Sequence, residues 1–257
     1  RLFTHWYTFF LFGDLATDRY MKRMVRDYLH YNEELFCVGH KIVAALDAET
    51  GGRGKWSSFH IRRGELQYKN VKIEADQILK NTRGWLQPHE TLYIATDEKN
   101  KTFFAPLVAQ YNVKYLDDYF EAAGLKEIDP NQYGMIEQIV ASQGRTFTGT
   151  WFSTFSAYIC RLRAYYGFED QTCYWYSPPA KLHAAEHWEM PSHAFYPREW
   201  PLAWEGIDGP VPRDLRARQL EQGAGTLGKS VEMPCWTKDL ACKAAHSHSA
   251  HVFGVRR

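Results

Sequence analysis

Residues 147–156 read FTGTWFSTFS, and this stretch decides the fold. Its first three residues are typical of a short buried strand, and residues 150–153 are typical of a turn. A helix is then predicted from Thr154 to Tyr166, with Ser153 well placed as its N-cap. A strand that turns directly into a capped helix is typical of an α/β domain.

The same alternation runs through the middle of the chain. Strands are predicted at residues 56–61 and 91–95, with a weaker one at 113–116. Apolar residues at helical spacing predict helices, and Gly144 closes the last of them as a C-terminal cap. These helices cover residues 18–29, 34–46, 71–79, 103–111 and 135–140. The pattern predicts an α/β fold: a Rossmann-like parallel sheet with helices on both faces.

Regular periodicity is lost after Gly167, and most of the eleven prolines lie beyond it. We therefore expect two parts. Residues 1–170 form the α/β domain with a helical lead-in, and residues 171–257 form an irregular extension rich in proline and tryptophan. Three tryptophans are expected to anchor this extension to the core: Trp188, Trp200 and Trp204.

The composition argues against several classes of protein. A net charge of +1 gives no overall attraction for nucleic acid or an anionic membrane. No apolar run approaches the ~20 residues that a membrane-spanning helix needs. The five cysteines include no CxxC pair, so a zinc finger is not predicted. Residues 100–102 (NKT) form a glycosylation sequon, a hint of the secretory route, and the start at Arg1 suggests further sequence upstream.

Polar side chains follow three of the predicted strands. His60, Arg62 and Arg63 come after the first, Asp97 after the second, and residues 153–156 after the third. In open parallel sheets, ligands bind at the carboxyl ends of the strands. We therefore expect the three clusters to converge on one edge of the sheet.

The chemistry of these clusters suits a phosphorylated ligand. An arginine fork from Arg62 or Arg63 can clamp a diphosphate, and the start of the helix after Ser153 favours an anion. Asp97 and Glu137 can accept hydrogen bonds from a base or a ribose. Taken singly, each cluster also has a simpler interpretation: a solvated arginine pair, a turn or a helix cap. Their order on one α/β pattern favours the binding site.

These segments resemble the motifs of the fucosyltransferase superfamily that includes the protein O-fucosyltransferases and the α1,6-fucosyltransferases. Residues 59–65 (FHIRRGE) resemble its His-x-Arg segment, and residues 95–98 (ATDE) resemble its second motif. Residues 147–156, continuing to Arg161 and Arg163, resemble its third motif, which reads Gly-Asn-x-x-Ser-Ser-Phe-Thr in some members. The resemblance covers about residues 1–166.

The resemblance implies the C-terminal, GDP-binding half of a two-domain GT-B glycosyltransferase. Arg62 would contact the diphosphate and assist its departure, and His60 would shape that loop. Glu137 stands where many members carry an Asp near the guanine. Phosphate and nucleoside would be held by Ser153, Thr154, Phe155 and Ser156. Such enzymes transfer fucose from GDP-fucose to a protein or glycan hydroxyl with inversion, without a metal or other cofactor, in the lumen of the ER or Golgi.

One departure from the family separates two functional hypotheses. The family's N-terminal domain opens with a Gly-Gly-x-x-Asn loop, which this sequence lacks, and residues 1–55 are too few for that domain. We therefore expect half of an enzyme, or one part of a longer protein. In either case the N-terminal domain or a partner subunit would supply the rest. The alternative is a non-catalytic, fucosyltransferase-like domain that serves as a structural or interaction subunit.

Two other features are not interpreted as sites. Residues 223–230 (GAGTLGKS) match the P-loop pattern, but a charged segment precedes them and Pro234 interrupts the segment after them, so a flexible loop is expected. The terminal histidines at positions 246, 248 and 251 are expected to belong to a solvated tail rather than a metal site.

Overall fold

The computed structural model describes residues 15–65, 69–169 and 172–182. They build one five-stranded sheet, all parallel, in the order β3-β2-β1-β4-β5. The strands are β1 (Trp56–Ile61), β2 (Thr91–Thr96), β3 (Asn112–Lys114), β4 (Phe147–Gly149) and β5 (Cys173–Trp175). This order matches the first five positions of the Rossmann arrangement, so the predicted fold class is confirmed.

Helices lie on both faces of the sheet. They are α1 (Leu15–Tyr28), α2 (Glu33–Thr50), α3 (Ala75–Thr82), α4 (Ala105–Val108), α5 (Phe120–Ala123), α6 (Tyr133–Ala141) and α7 (Thr154–Tyr165). Short 3₁₀ turns join them at Lys69–Val71, Lys101–Phe104, Leu116–Tyr119, Leu125–Glu127, Pro130–Gln132 and Pro179–Lys181. Within the described residues, no helix is long and apolar enough to cross a membrane.

The alternation of side chains along β1 explains why the sheet has two apolar layers. Phe59 and Ile61 point to one face and pack with the apolar residues of α3 and α4. Trp56 points to the other face and packs with α2, α6 and α7. All six residues of β1 are buried, as expected for the central strand of a sheet that is covered on both sides.

A buried ion pair fastens the amino-terminal edge of the sheet. The side chain of Glu90 is 2% exposed, and Arg145 Nη2 lies 2.9 Å from its Oε1. Ser57 Oγ also donates to this carboxylate over 3.0 Å, and the Gln87 N–H donates to it over 2.8 Å. The carboxylate therefore joins β1, the turn before β2 and the turn before β4.

Two elements differ from the sequence prediction. The helix expected at residues 103–111 is divided into a 3₁₀ turn and the one-turn helix α4. Pro106 lacks an N–H and so cannot continue a helical bond to Thr102, whose carbonyl is instead reached by Ala105. The strand β5 lies in the segment for which an irregular course was expected, so the boundary predicted at residue 170 is not where the sheet ends. Three residues are too few to show a strand period.

Several sequence predictions fall outside the described residues. They concern the P-loop-like segment at 223–230, the terminal histidines and the tryptophans at 188, 200 and 204. Among the described cysteines, Cys160 and Cys173 are buried thiols.

Helices α2 and α6 are in close contact at Gly39. A Cβ added at this glycine would lie 2.6 Å from Cγ2 of Ile139, far inside van der Waals contact. Since Ile139 is fully buried in the larger apolar layer, it has little room to move away. The absence of a side chain at Gly39 therefore sets the spacing of the two helices.

We expect Gly39→Ala to lower the free energy of unfolding by about 1–3 kcal/mol, the usual cost of overpacking a core. Chemical denaturation monitored by circular dichroism would measure the loss. Gly84→Ala is the matched control, because a Cβ there meets nothing within 4 Å. If the clash is the cause, Gly39→Ala should cost much less when Ile139 is already Ala. An equal cost in both backgrounds would contradict the steric explanation.

Candidate nucleotide site at the carboxyl edge of the sheet

The candidate site lies where the strand order reverses. The chain leaves β1 toward α3 on one face of the sheet, and it leaves β4 toward α7 on the opposite face. Because β1 and β4 are neighbours, the switch point lies between their carboxyl ends, and a crevice at this point is the usual ligand position in open α/β sheets. The clusters at residues 60–63 and 153–156 therefore meet there, as the sequence predicts.

Asp97 fixes the backbone of the loop that follows β1. Its Oδ1 accepts a hydrogen bond from the Arg63 N–H over 2.7 Å, and its Oδ2 accepts one from the Gly64 N–H over 3.1 Å. A Cβ at Gly64 would lie 2.6 Å from Oδ2, so this close approach needs a glycine. Both carboxylate oxygens of Asp97, which was predicted as a ligand contact, therefore accept hydrogen bonds from the Arg62–Gly64 loop.

The two arginines of this loop point in different directions. Arg62 has a side chain that is 41% exposed, and its Nε lies 3.8 Å from Asp97 Oδ2. The side chain of Arg63 is 13% exposed and lies over the ring of Phe103, with 4.0 Å from Cζ to the centroid. Arg63 Nη1 also donates to the Ile73 carbonyl over 3.0 Å. Arg62 is thus available to a ligand, whereas Arg63, which was also predicted to bind, supports the layer beneath.

His60 and Ser156 form the buried wall of the crevice. His60 Nδ1 lies 2.7 Å from Ser156 Oγ, and the same oxygen accepts the Thr150 N–H over 2.9 Å. Both side chains are buried, so they shape the site from below rather than reach its surface. A Cβ at Gly149 would come within 2.8 Å of Ser156 Oγ, so the strand end must be a glycine for the helix to close on it.

Burial keeps the imidazole of His60 neutral. It lowers the pKa of His60 from 6.5 to about 3, although Asp97 opposes this shift. The ring stacks on Phe155, with 4.3 Å between the centroids. We therefore expect the site to carry no histidine charge near neutral pH.

The start of α7 supplies the second anion-binding device. Ser153 caps the helix, since its side chain accepts the Ser156 N–H over 3.4 Å. Thr154 is exposed at the first turn, and the free N–H groups of a helix start carry partial positive charge. Phe152, just before the cap, has φ of 62°, a conformation that non-glycine residues rarely adopt and that often marks functional turns.

Glu137 lies beside the end of β2. Burial raises its pKa to about 7, while a hydrogen bond from the Thr96 backbone and the nearby Lys101 ammonium act in the opposite direction. Asp97 and Asp117 add negative charge around it and raise the pKa further. The predicted acidic partner for a base is therefore brought to the same edge as Asp97, and it titrates near neutral pH.

Three residues that build the site were not found from the sequence. Thr150 and Tyr176 bond to each other beneath Arg62 at 3.0 Å. Gln138 accepts a hydrogen bond from the Tyr31 hydroxyl and donates from Nε2 to the Phe155 carbonyl over 3.0 Å. A polar residue at a buried helix position was the only sequence signal for Gln138. In the part of the chain that the structure describes, no group of three His, Cys, Asp or Glu is arranged to hold a metal ion.

Comparison with known proteins places the chain in a family. The model of the family described as GDP-fucose protein O-fucosyltransferase matches residues 1–166. No curated protein matches the chain. The matched region ends just after α7 and includes all three clusters of the candidate site.

The state of His60 predicts how stability depends on pH. Its pKa is about 3 in the folded chain and 6.5 in the unfolded chain. Between these pH values the unfolded chain therefore binds more protons than the folded chain. The contribution of His60 to the free energy of unfolding is therefore fully present above pH 6.5 and is lost as the pH falls toward 3. We expect His60→Gln, which does not titrate, to flatten the rise in unfolding free energy between pH 4 and 6.

Glu137 should change the stability with pH in the opposite direction to His60. Its pKa is raised from 4.5 to about 7, so its contribution is present below pH 4.5 and is lost as the pH rises through 7. Glu137→Gln should therefore remove a fall in stability over that range. Denaturation series at several pH values would measure both slopes; identical slopes for His60→Gln and the unmodified chain would show that His60 is solvated.

Proposed function

Because the chain belongs to the GDP-fucose protein O-fucosyltransferase family, we propose that it binds GDP-fucose and takes part in the transfer of fucose to a hydroxyl of a protein or glycan acceptor. The described α/β unit then corresponds to the GDP-binding half of a GT-B enzyme. The acceptor cleft and the general base belong to another domain in this proposal. The compartment proposed is the lumen of the secretory pathway, as for the family.

One observation carries the proposal: the Arg62 guanidinium, 41% exposed, and the start of α7 lie after neighbouring strands at the switch point of the sheet. Arg62 follows β1 and Ser153 follows β4, and these strands are hydrogen-bonded neighbours. A guanidinium fork and a helix start both favour a diphosphate. Together they supply positive charge from two directions, so donor binding is proposed to need no metal.

The chemistry is a displacement at the anomeric carbon of fucose. The bond from this carbon to the β-phosphate oxygen breaks, and the acceptor oxygen forms a new bond from the opposite face while its proton passes to a base. GDP leaves with the electron pair. Negative charge grows on the diphosphate in the transition state, and Arg62 and the helix start stabilise it there. Groups already fixed before the reaction act most strongly in this way, and Asp97 fixes the loop that carries Arg62.

The nucleoside is proposed to lie on the side of β2. Glu137 is the carboxyl group that accepts hydrogen bonds from the guanine, and its partial burial makes such bonds strong. Phe155, half-buried and stacked on His60, borders the same crevice.

One prediction from the proposed function concerns the donor. The protein should bind GDP at least tenfold more tightly than UDP or ADP in calorimetry with chelator present, because Glu137 pairs with the guanine edge. Glu137→Ala should reduce the preference for GDP over UDP. Equal affinity for the three nucleotides would remove the donor assignment. Tight GDP binding without transfer, in the presence of acceptors and of the domain that carries the acceptor cleft, would instead identify a non-catalytic subunit.

Another prediction separates the roles of Arg62 and Arg63. Arg62→Lys should lower fucose transfer at least tenfold, mainly in kcat, since an ammonium cannot reproduce the bidentate fork. Arg63→Lys should change transfer much less, but it should lower the melting temperature because it weakens the contacts with Phe103 and Ile73. Steady-state kinetics of both variants in the full-length protein, together with their thermal unfolding, would test this, and the reverse pattern would exchange the two roles.

A further inference from the structure

Tyr176 is held under the candidate site by the segment that follows β5. It is 1% exposed, and its N–H donates to the Gly149 carbonyl over 3.2 Å. Its own carbonyl accepts a hydrogen bond from Asn81 Nδ2 over 2.8 Å, which ties it to α3. The residue is therefore fixed from two sides, and its hydroxyl points at the turn between β4 and α7.

The Tyr176 hydroxyl meets the backbone of Arg62 through Thr150. Thr150 Oγ1 accepts the Arg62 N–H over 3.1 Å and donates to the His60 carbonyl over 3.0 Å. A hydroxyl has one proton, and a carbonyl can only accept, so Thr150 has none left for Tyr176. Tyr176 must therefore be the donor in the 3.0 Å bond between the two hydroxyls.

The protonation state of Tyr176 agrees with this assignment. Burial raises the pKa of Tyr176 to about 12, while the neighbouring Thr150 hydroxyl and Arg62 backbone act in the opposite direction. The phenol thus keeps its proton at any physiological pH and can donate throughout.

We propose that Tyr176, acting through Thr150, is a positioning residue that fixes the backbone of Arg62 so that its guanidinium meets the donor diphosphate. This inference rests on the proposed function. Tyr176 does not touch the reacting atoms in this proposal.

The geometry of Arg62 explains why its backbone needs such support. The side chain has only long polar contacts among the described residues: 3.8 Å to Asp97 Oδ2 and 3.5 Å to the Glu65 carbonyl. Its position therefore depends on where its Cα is held. Asp97 holds the N–H groups of the next two residues, whereas Thr150 holds that of Arg62 itself. Loss of the Tyr176 bond leaves the Thr150 hydroxyl held only by the Arg62 N–H and the His60 carbonyl, which weakens this hold.

Tyr176 also lies beyond the region that the family model matches. That region ends at residue 166, while Tyr176 reaches the site because β5 pairs with β4 through Trp175 and Gly149. The segment after α7 therefore contributes to the site.

The ratio of GDP affinity to GMP affinity tests the proposal, because Arg62 is proposed to contact the diphosphate and not the nucleoside. Calorimetry on the full chain should show a threefold to tenfold lower ratio for Tyr176→Phe and a larger loss for Thr150→Val. Thr150→Ser keeps the hydroxyl and should leave the ratio close to that of the unmodified chain. Tyr174→Phe is the matched control from the same strand segment, where the ring stacks on Trp85, and it should leave the ratio unchanged.

Coupling to Arg62 separates a positioning role from a general structural one. In the Arg62→Lys background, Tyr176→Phe should change the ratio less than twofold, because the group that it positions has already been lost. An equal effect in both backgrounds, or a parallel fall in GDP and GMP affinity, would overturn the proposal. If the unmodified chain binds neither nucleotide, the proposed function fails first, which is a different result.

Discussion

The hydroxyl of Ser156 is the point on which the candidate site depends. It accepts the Thr150 N–H and pairs with His60, so one buried oxygen joins β1, the turn after β4 and the start of α7. Buried networks of this kind are strong when every member is satisfied and costly when one is lost. The close approach also requires the glycine at position 149. The two proposed anion contacts, Arg62 and the start of α7, both adjoin this junction.

The charges of the molecule are divided between the two edges of the sheet. At the amino edge, Arg145 and Glu90 neutralise each other in a buried pair. At the carboxyl edge, Asp97 is engaged by backbone amides, and burial keeps His60 neutral. Arg62 is left partly exposed at this edge. A chain with almost no net charge can therefore present a local cationic site, which is what an anionic donor needs.

Much of this arrangement can be predicted from the sequence, because strong local signals specify it. The strands at 56–61 and 147–149 and the cap at Ser153 were expected at the positions where they are found. Alternation along β1 also anticipates that Arg62 and Arg63 point apart. Contacts between distant segments could not be predicted in this way. Thr150 reads only as a turn residue, and Tyr176 follows a strand too short to leave a period, so their pairing appears only when β5 is placed beside β4.

The pairing of β1 with β4 has a consequence for how the protein folds. Phe59 stands opposite Thr148, about 90 residues later in the chain, and such distant pairings form slowly because a long loop must close first. The two strands of a hairpin are close in sequence and can pair quickly, whereas β1 and β4 are far apart in the chain. The switch point of the sheet is therefore complete only once β1 and β4 have paired. A partly folded chain holding β1, β2 and β3 has the arginine loop but lacks the start of α7, so the proposed anion site requires the pairing of β1 with β4.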